Sequence, residues 1–90
     1  MITTARDALK AMASTVPATR SAALKAAQGM INDGGERVTV TPARGALWGT
    51  WATSGTVTEV YSDGMVRVEF PHALPGGRTG AVLYREAYTV

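Results

Sequence analysis

Cysteine is missing from this 90-residue chain. Disulfides, thiolate nucleophiles and cysteine-ligated zinc are therefore excluded, which fits a reducing compartment. Histidine occurs once, at position 72, so an all-histidine metal site is excluded and a Ser-His-Asp triad has a single candidate base. No serine stands in a nucleophile-elbow context and no paired carboxylates have useful spacing, so the expectation is a non-enzyme without cofactor or metal. No apolar run approaches the ~18 residues needed to span a bilayer. Arg6, Asp7 and Lys10 interrupt any signal-like opening, so a cytoplasmic location is expected, with no membrane partner. Charge of one sign is scarce: the net charge is +2. After residue 33 the five arginines 37, 44, 67, 78 and 85 are cancelled by Glu36, Glu59, Asp63, Glu69 and Glu86. By count, the C-terminal part carries no basic stripe of the kind that binds phosphate backbones.

What the chain does have changes period near residue 35. Thr4 and Asp7 have the capping-box spacing and open a helix over residues 4–14. Ile2, Leu9, Met12 and Val16 fall on one thin stripe of it, since alanine fills the rest and buries little area. Pro17 suits the first turn of a second helix over residues 17–31, with Ala23, Leu24, Ala27, Met30 and Ile31 as its apolar side. Asn32-Asp33-Gly34-Gly35 is a helix stop. Two such helices are too thin to stand alone in water. They are expected to pack on the rest of the chain, on each other, or on a second copy as a homodimer.

From Glu36 the period is two. Val38 and Val40 alternate with Thr39 and Thr41 in a strand ended by Pro42. Residues 43–54 are a long connection holding Trp48 and Trp51. Residues 55–70 form one hairpin around Ser62-Asp63-Gly64, because Asp-Gly between alternating apolar residues is the strongest short-range hairpin signal. A two-residue turn would place Glu59 among Val57, Val66, Val68 and Phe70. A three-residue turn with Gly64 left-handed pairs Val60 with Val66, Thr58 with Val68 and Glu59 with Arg67, and leaves the carboxylate outside. Burying an unpaired carboxylate costs several kcal/mol, about what a small domain has in total, so the second register is expected. It gives Val57 the wrong parity, which a bulge near Thr58 corrects. Residues 71–80 are a Pro/Gly-rich loop, and Ala81–Val90 hold two short strands with a helical turn at Arg85-Glu86-Ala87 between them.

The pattern Gly35-Glu-Arg-Val-Thr-Val, a long loop, Gly55-Thr-Val-Thr-Glu-Val, Asp63-Gly-x-Val-Arg-Val-Glu-Phe70, Val82-Leu-Tyr and a final Tyr-Thr-Val resembles the SH3-like small barrels, particularly their KOW and Tudor-like branch. The resemblance covers Glu36 to Val90. It implies an α+β chain: a helical segment over 1–33, then a strongly bent five-stranded antiparallel barrel over 34–90, with residues 43–54 as the long first loop. An unrelated N-terminal piece joined to such a barrel is similar in layout to small phage-encoded accessory proteins, which implies the host cytoplasm as location.

In SH3-like domains aromatics of the first loop form the ligand groove. The resemblance thus makes Trp48 and Trp51, with Arg44 before them, the leading binding candidates; the competing reading has a tryptophan closing an open end of the barrel. Tyr61 and Met65 flank the turn as a contact spot or as cross-strand decoration. Arg67, Arg78 and Arg85 either meet phosphates or lie on a solvated face beside Glu59, Glu69 and Glu86. The expected function is a protein-interaction module acting through the first loop. The alternative is a nucleic-acid-binding barrel in which Arg44, Arg67 and Arg78 converge with the aromatics.

Overall fold

The computed structural model describes residues 2–44 and 54–90. Two helices, α1 (Ala5–Ala11) and α2 (Pro17–Ile31), precede five strands. These are β1 (Val38–Pro42), β2 (Gly55–Val60), β3 (Val66–Glu69), β4 (Gly80–Leu83) and β5 (Tyr88–Thr89), and a 3₁₀ turn over Arg85–Ala87 leads into β5. The sheet is antiparallel and strongly curled, in the order β4-β3-β2-β1-β5. β1 serves both ends of the curl: Val38 to Val40 pair with β2, while Thr41 and Pro42 pair with β5. The layout is compatible with an SH3-like barrel.

The hairpin has the register that keeps Glu59 out of the core. Val60 stands opposite Val66 and Glu59 opposite Arg67. The register then shifts between Val57 and Glu59, so that Val57, not Thr58, faces Val68. The turn is Ser62-Asp63-Gly64: the Tyr61 N–H donates to the Met65 carbonyl at 2.8 Å, and Gly64 has φ 90°. The Asp63 carboxylate accepts the Met65 N–H at 3.0 Å, which fixes the turn from within. The bulge leaves the Thr58 hydroxyl buried without a hydrogen-bond partner. A desolvated, unpaired hydroxyl costs on the order of 1 kcal/mol, so Thr58→Val is expected to stabilise the fold by about that much in urea denaturation.

Helix α1 has only seven residues, too few to hold together by itself. It is pinned at both ends by side chains from the β part. At its start the Thr4 hydroxyl accepts the Asp7 N–H at 3.1 Å, and the Glu36 carboxylate accepts the Ala5 N–H at 2.7 Å. Towards its end the Arg85 Nε donates to the Leu9 carbonyl at 2.9 Å. An anion at the amino end and a cation at the carboxyl end also suit the helix dipole. The expected stripe holds at Leu9 and Met12, but Val16 is 54% exposed. The helix ends at Ala11, so Val16 belongs instead to the start of α2, where it is the N-cap before Pro17.

Helix α2 buries Ala23, Ala27 and Ile31, with Leu24 and Met30 half-buried. Its cap, Asn32, reaches the sheet. The Asn32 amide donates to the Val60 carbonyl at 2.9 Å and accepts the Val60 N–H at 2.7 Å. Val60 lies beyond the last β1 partner of β2, and the amide supplies the backbone pairing that β1 does not reach to give. One hydrophobic cluster runs from Ala5, Leu9, Ala23 and Ile31 through Val40, Val57, Val60, Val66 and Val68 to Tyr88. Alanine at the helix contacts lets the helices sit close to the curled sheet.

Candidate functional site

Register divides the expected binding residues between the two ends of the sheet. Val40 faces Gly55, Thr56 faces Glu69, and Glu69 faces Gly80. The end of β1 with Arg44, the start of β2, and the 71–79 loop with Arg78 therefore share one end. Arg44 and Arg78 are both exposed there, and the Arg78 guanidinium lies 6.0 Å from the centre of the Phe70 ring. Trp48 and Trp51 lie outside the described residues. Tyr61 and Met65 stand at the opposite end, beside the tight turn, and are half-buried. Arg67 is mid-strand, between Glu59 on β2 and Val82 on β4.

A cleft of about 260 Å³ opens at the turn end, between the helices and the hairpin. Met12, Leu24 and Met65 give it an apolar lining, with Arg20, Asp63 and Glu86 among the polar groups around it. Tyr84, 67% exposed, stands at its side. An adjoining cleft of about 290 Å³ shares Met12, Arg20, Arg85 and Glu86 with it and is also lined by Tyr88. Each is smaller than the roughly 300–1,000 Å³ of typical small-molecule sites. Methionines with an exposed tyrosine suit the side chains of a polypeptide, because thioether chains repack around varied shapes.

Arg85 is engaged within the fold. Besides its bond to Leu9, its Nη1 donates to the Tyr88 carbonyl at 2.8 Å, and its guanidinium lies 4.7 Å from the centre of the Tyr88 ring. Arg37 is likewise spent on backbone, its Nη1 donating to the carbonyls of Ile31, Gly35 and Glu36 at 3.0 to 3.3 Å. His72 is an exposed loop residue. Among the described residues no cluster of three metal-ligating side chains occurs, and no helix is long and apolar enough to cross a membrane.

No family model, no curated protein and no solved structure matches the chain.

Tyr88 is 2% exposed, and its hydroxyl has no hydrogen-bond partner. Burial pushes its pKa up from 10.0 to about 12, against the lowering effect of the Arg85 charge and with a smaller upward push from Glu86. An unfolded tyrosine ionises near 10, whereas the folded one holds its proton to about 12. The stability linked to this group is therefore complete below pH 10 and is lost as pH rises towards 12. The loss is on the order of 2 kcal/mol. Tyr88→Phe is expected to remove that part of the alkaline destabilisation, read as a smaller fall in urea midpoint between about pH 8 and about pH 11.

Proposed function

We propose that this chain is a non-enzymatic protein-interaction module: an SH3-like barrel of the KOW/Tudor-like type, carrying a helical segment. Its layout suits a small phage accessory protein that engages a host or virion protein in the host cytoplasm. The partner is taken at the end of the sheet where the long first loop, with Trp48 and Trp51, leaves β1 beside the exposed Arg44 and Arg78. The observation that carries a protein partner over a nucleic acid is the use of the arginines. Of the five that follow residue 33, Arg37 and Arg85 are committed to backbone carbonyls, and Arg67 stands between Glu59 and Val82. At the end of the sheet that the long loop leaves, the exposed guanidiniums of Arg44 and Arg78 make a rim for a protein contact, while a phosphate backbone calls for a continuous basic track.

The second reading, a nucleic-acid-binding KOW-like barrel, draws on the same two arginines sharing an end with the tryptophan loop. One comparison separates the readings. The immobilised chain is expected to retain a specific protein from nuclease-treated host extract, and Trp48→Ser/Trp51→Ser is expected to lose it with unchanged circular dichroism. Retention of the chain on DNA resin at about 0.15 M salt, abolished by Arg44→Glu/Arg78→Glu, would establish the second reading instead.

A further inference from the structure

Strand β4 is an end strand of the sheet, and among the described residues no strand lies on its outer side. Its sequence, Gly80-Ala81-Val82-Leu83, contains no charge and no proline. Natural edge strands usually carry such devices to prevent pairing with another chain. The opposite edge, β5, is only two residues long. Among the described residues, two of the three large apolar side chains left exposed, Val82 at 45% and Tyr84 at 67%, sit on or next to β4.

The hydrogen-bond phase of this edge is set by its ladder with β3. The Phe70 N–H donates to the Thr79 carbonyl at 2.8 Å, in line with the pairs Glu69 with Gly80, Val68 with Ala81 and Arg67 with Val82. Bonded and non-bonded pairs alternate in an antiparallel ladder. Thr79, Ala81 and Leu83 thus direct their N–H and C=O groups to β3, while Gly80 and Val82 direct theirs outward.

We propose that β4 pairs antiparallel with β4 of a second copy of this chain, about a two-fold axis through Val82, so that two curled sheets join edge to edge. The outward phase restricts the register, because only residues of the Gly80, Val82 and Tyr84 set can bond across the new seam. Centring on Val82 uses Gly80 and Val82 in full and the N–H of Tyr84, whose carbonyl accepts the Ala87 N–H at 3.0 Å. Val82 then bonds to Val82 of the second copy, and Tyr84 lies opposite Gly80, where an aromatic ring covers a bare glycine backbone. A second copy fits this edge better than an unrelated peptide, since the exposed Val82 and Tyr84 and the bare Gly80 complement one another under a two-fold rotation. The apolar faces of both helices are buried in the chain's own core, so among the described residues this edge is the one that offers exposed apolar side chains and outward backbone groups together. The inference does not depend on the function proposed above.

Sedimentation equilibrium of the whole chain between about 10 μM and about 1 mM tests it. The mass is expected to rise from 9.4 kDa towards twice that value. Val82→Lys, which sets like charges face to face, and Val82→Pro, which removes only an outward N–H, are each expected to weaken association about tenfold or more. Neither should change the melting temperature of the dilute protein by more than a few degrees. A mass of 9.4 kDa throughout, or association indifferent to both Val82 variants, would overturn the proposal. So would a monomer whose β4 amides become protected only on adding another protein, since the edge would then serve an extended peptide.

Discussion

Gly35→Ala is expected to destabilise the protein by at least about 3 kcal/mol, enough to leave a chain of this size largely unfolded. A Cβ on Gly35 would stand 2.1 Å from the Met30 carbonyl oxygen and 2.9 Å from its carbon. Both are backbone atoms of the last turn of α2, and neither can rotate away as a side-chain tip would. The joint is also the densest hydrogen-bonded point between helix and sheet. The Gly35 N–H donates to the Ile31 carbonyl at 3.1 Å and the Glu36 N–H to the Met30 carbonyl at 2.7 Å, with Arg37 bonded to Ile31 beside them. Relieving the clash means prising β1 off the end of α2 and losing these bonds together. Gly34 is the control. It has open space around its Cβ position but a φ of 77°, so Gly34→Ala carries only the left-handed penalty of about 1 kcal/mol. Urea midpoints of the two variants should differ widely, although the glycines are adjacent.

Arg85→Met is the second large effect, at about 2 to 4 kcal/mol. Methionine keeps much of the apolar stem but leaves the Leu9 and Tyr88 carbonyls without their charged donor and removes the cation above the Tyr88 ring. Arg85→Lys should recover little of the loss, because Nε and Nη1 serve two carbonyls at once and an ammonium on a flexible stem does not reproduce that fork. The loss should be local in character. Leu9 belongs to α1, whose other tie is the Glu36 carboxylate at Ala5, so the helix should loosen at its carboxyl end first. Amide exchange in α1 is the readout: it should speed up in Arg85→Met more than exchange in β2 and β3.

The hairpin was legible in the sequence because a charged residue had to stay out of the core. Glu59 decided the turn length, the turn length decided parity, and parity required the bulge that appears between Val57 and Glu59. The helices were legible from Thr4, Pro17 and the Asn-Asp-Gly-Gly stop. What was not legible is how the helices meet the sheet. Asn32 read as a helix stop, yet its amide also closes the end of β2. Glu36 read only as one of the acids that cancel the arginines, and Arg85 as a phosphate contact or a solvated charge, yet each bonds to backbone of α1 across the fold. Such contacts join residues 31 and 76 positions apart, and no periodicity or local spacing carries a signal for them. The same holds for the Met12, Leu24 and Met65 cleft, which three separate elements assemble. Composition showed no basic stripe by count, and the commitment of Arg37 and Arg85 to carbonyls emerged only from the fold.

The helices belong to the same core as the curled sheet, so that the cleft between α2 and the hairpin is a fixed feature of the surface. Native-state hydrogen exchange tests this most directly. Amides of Ala27 and Ile31 in α2 and of Val57, Val60 and Val68 in the sheet are expected to exchange only through global unfolding, with one common opening free energy and one common dependence on urea. Exchange of the α2 amides through a distinctly cheaper opening, with the sheet amides still protected, would contradict it.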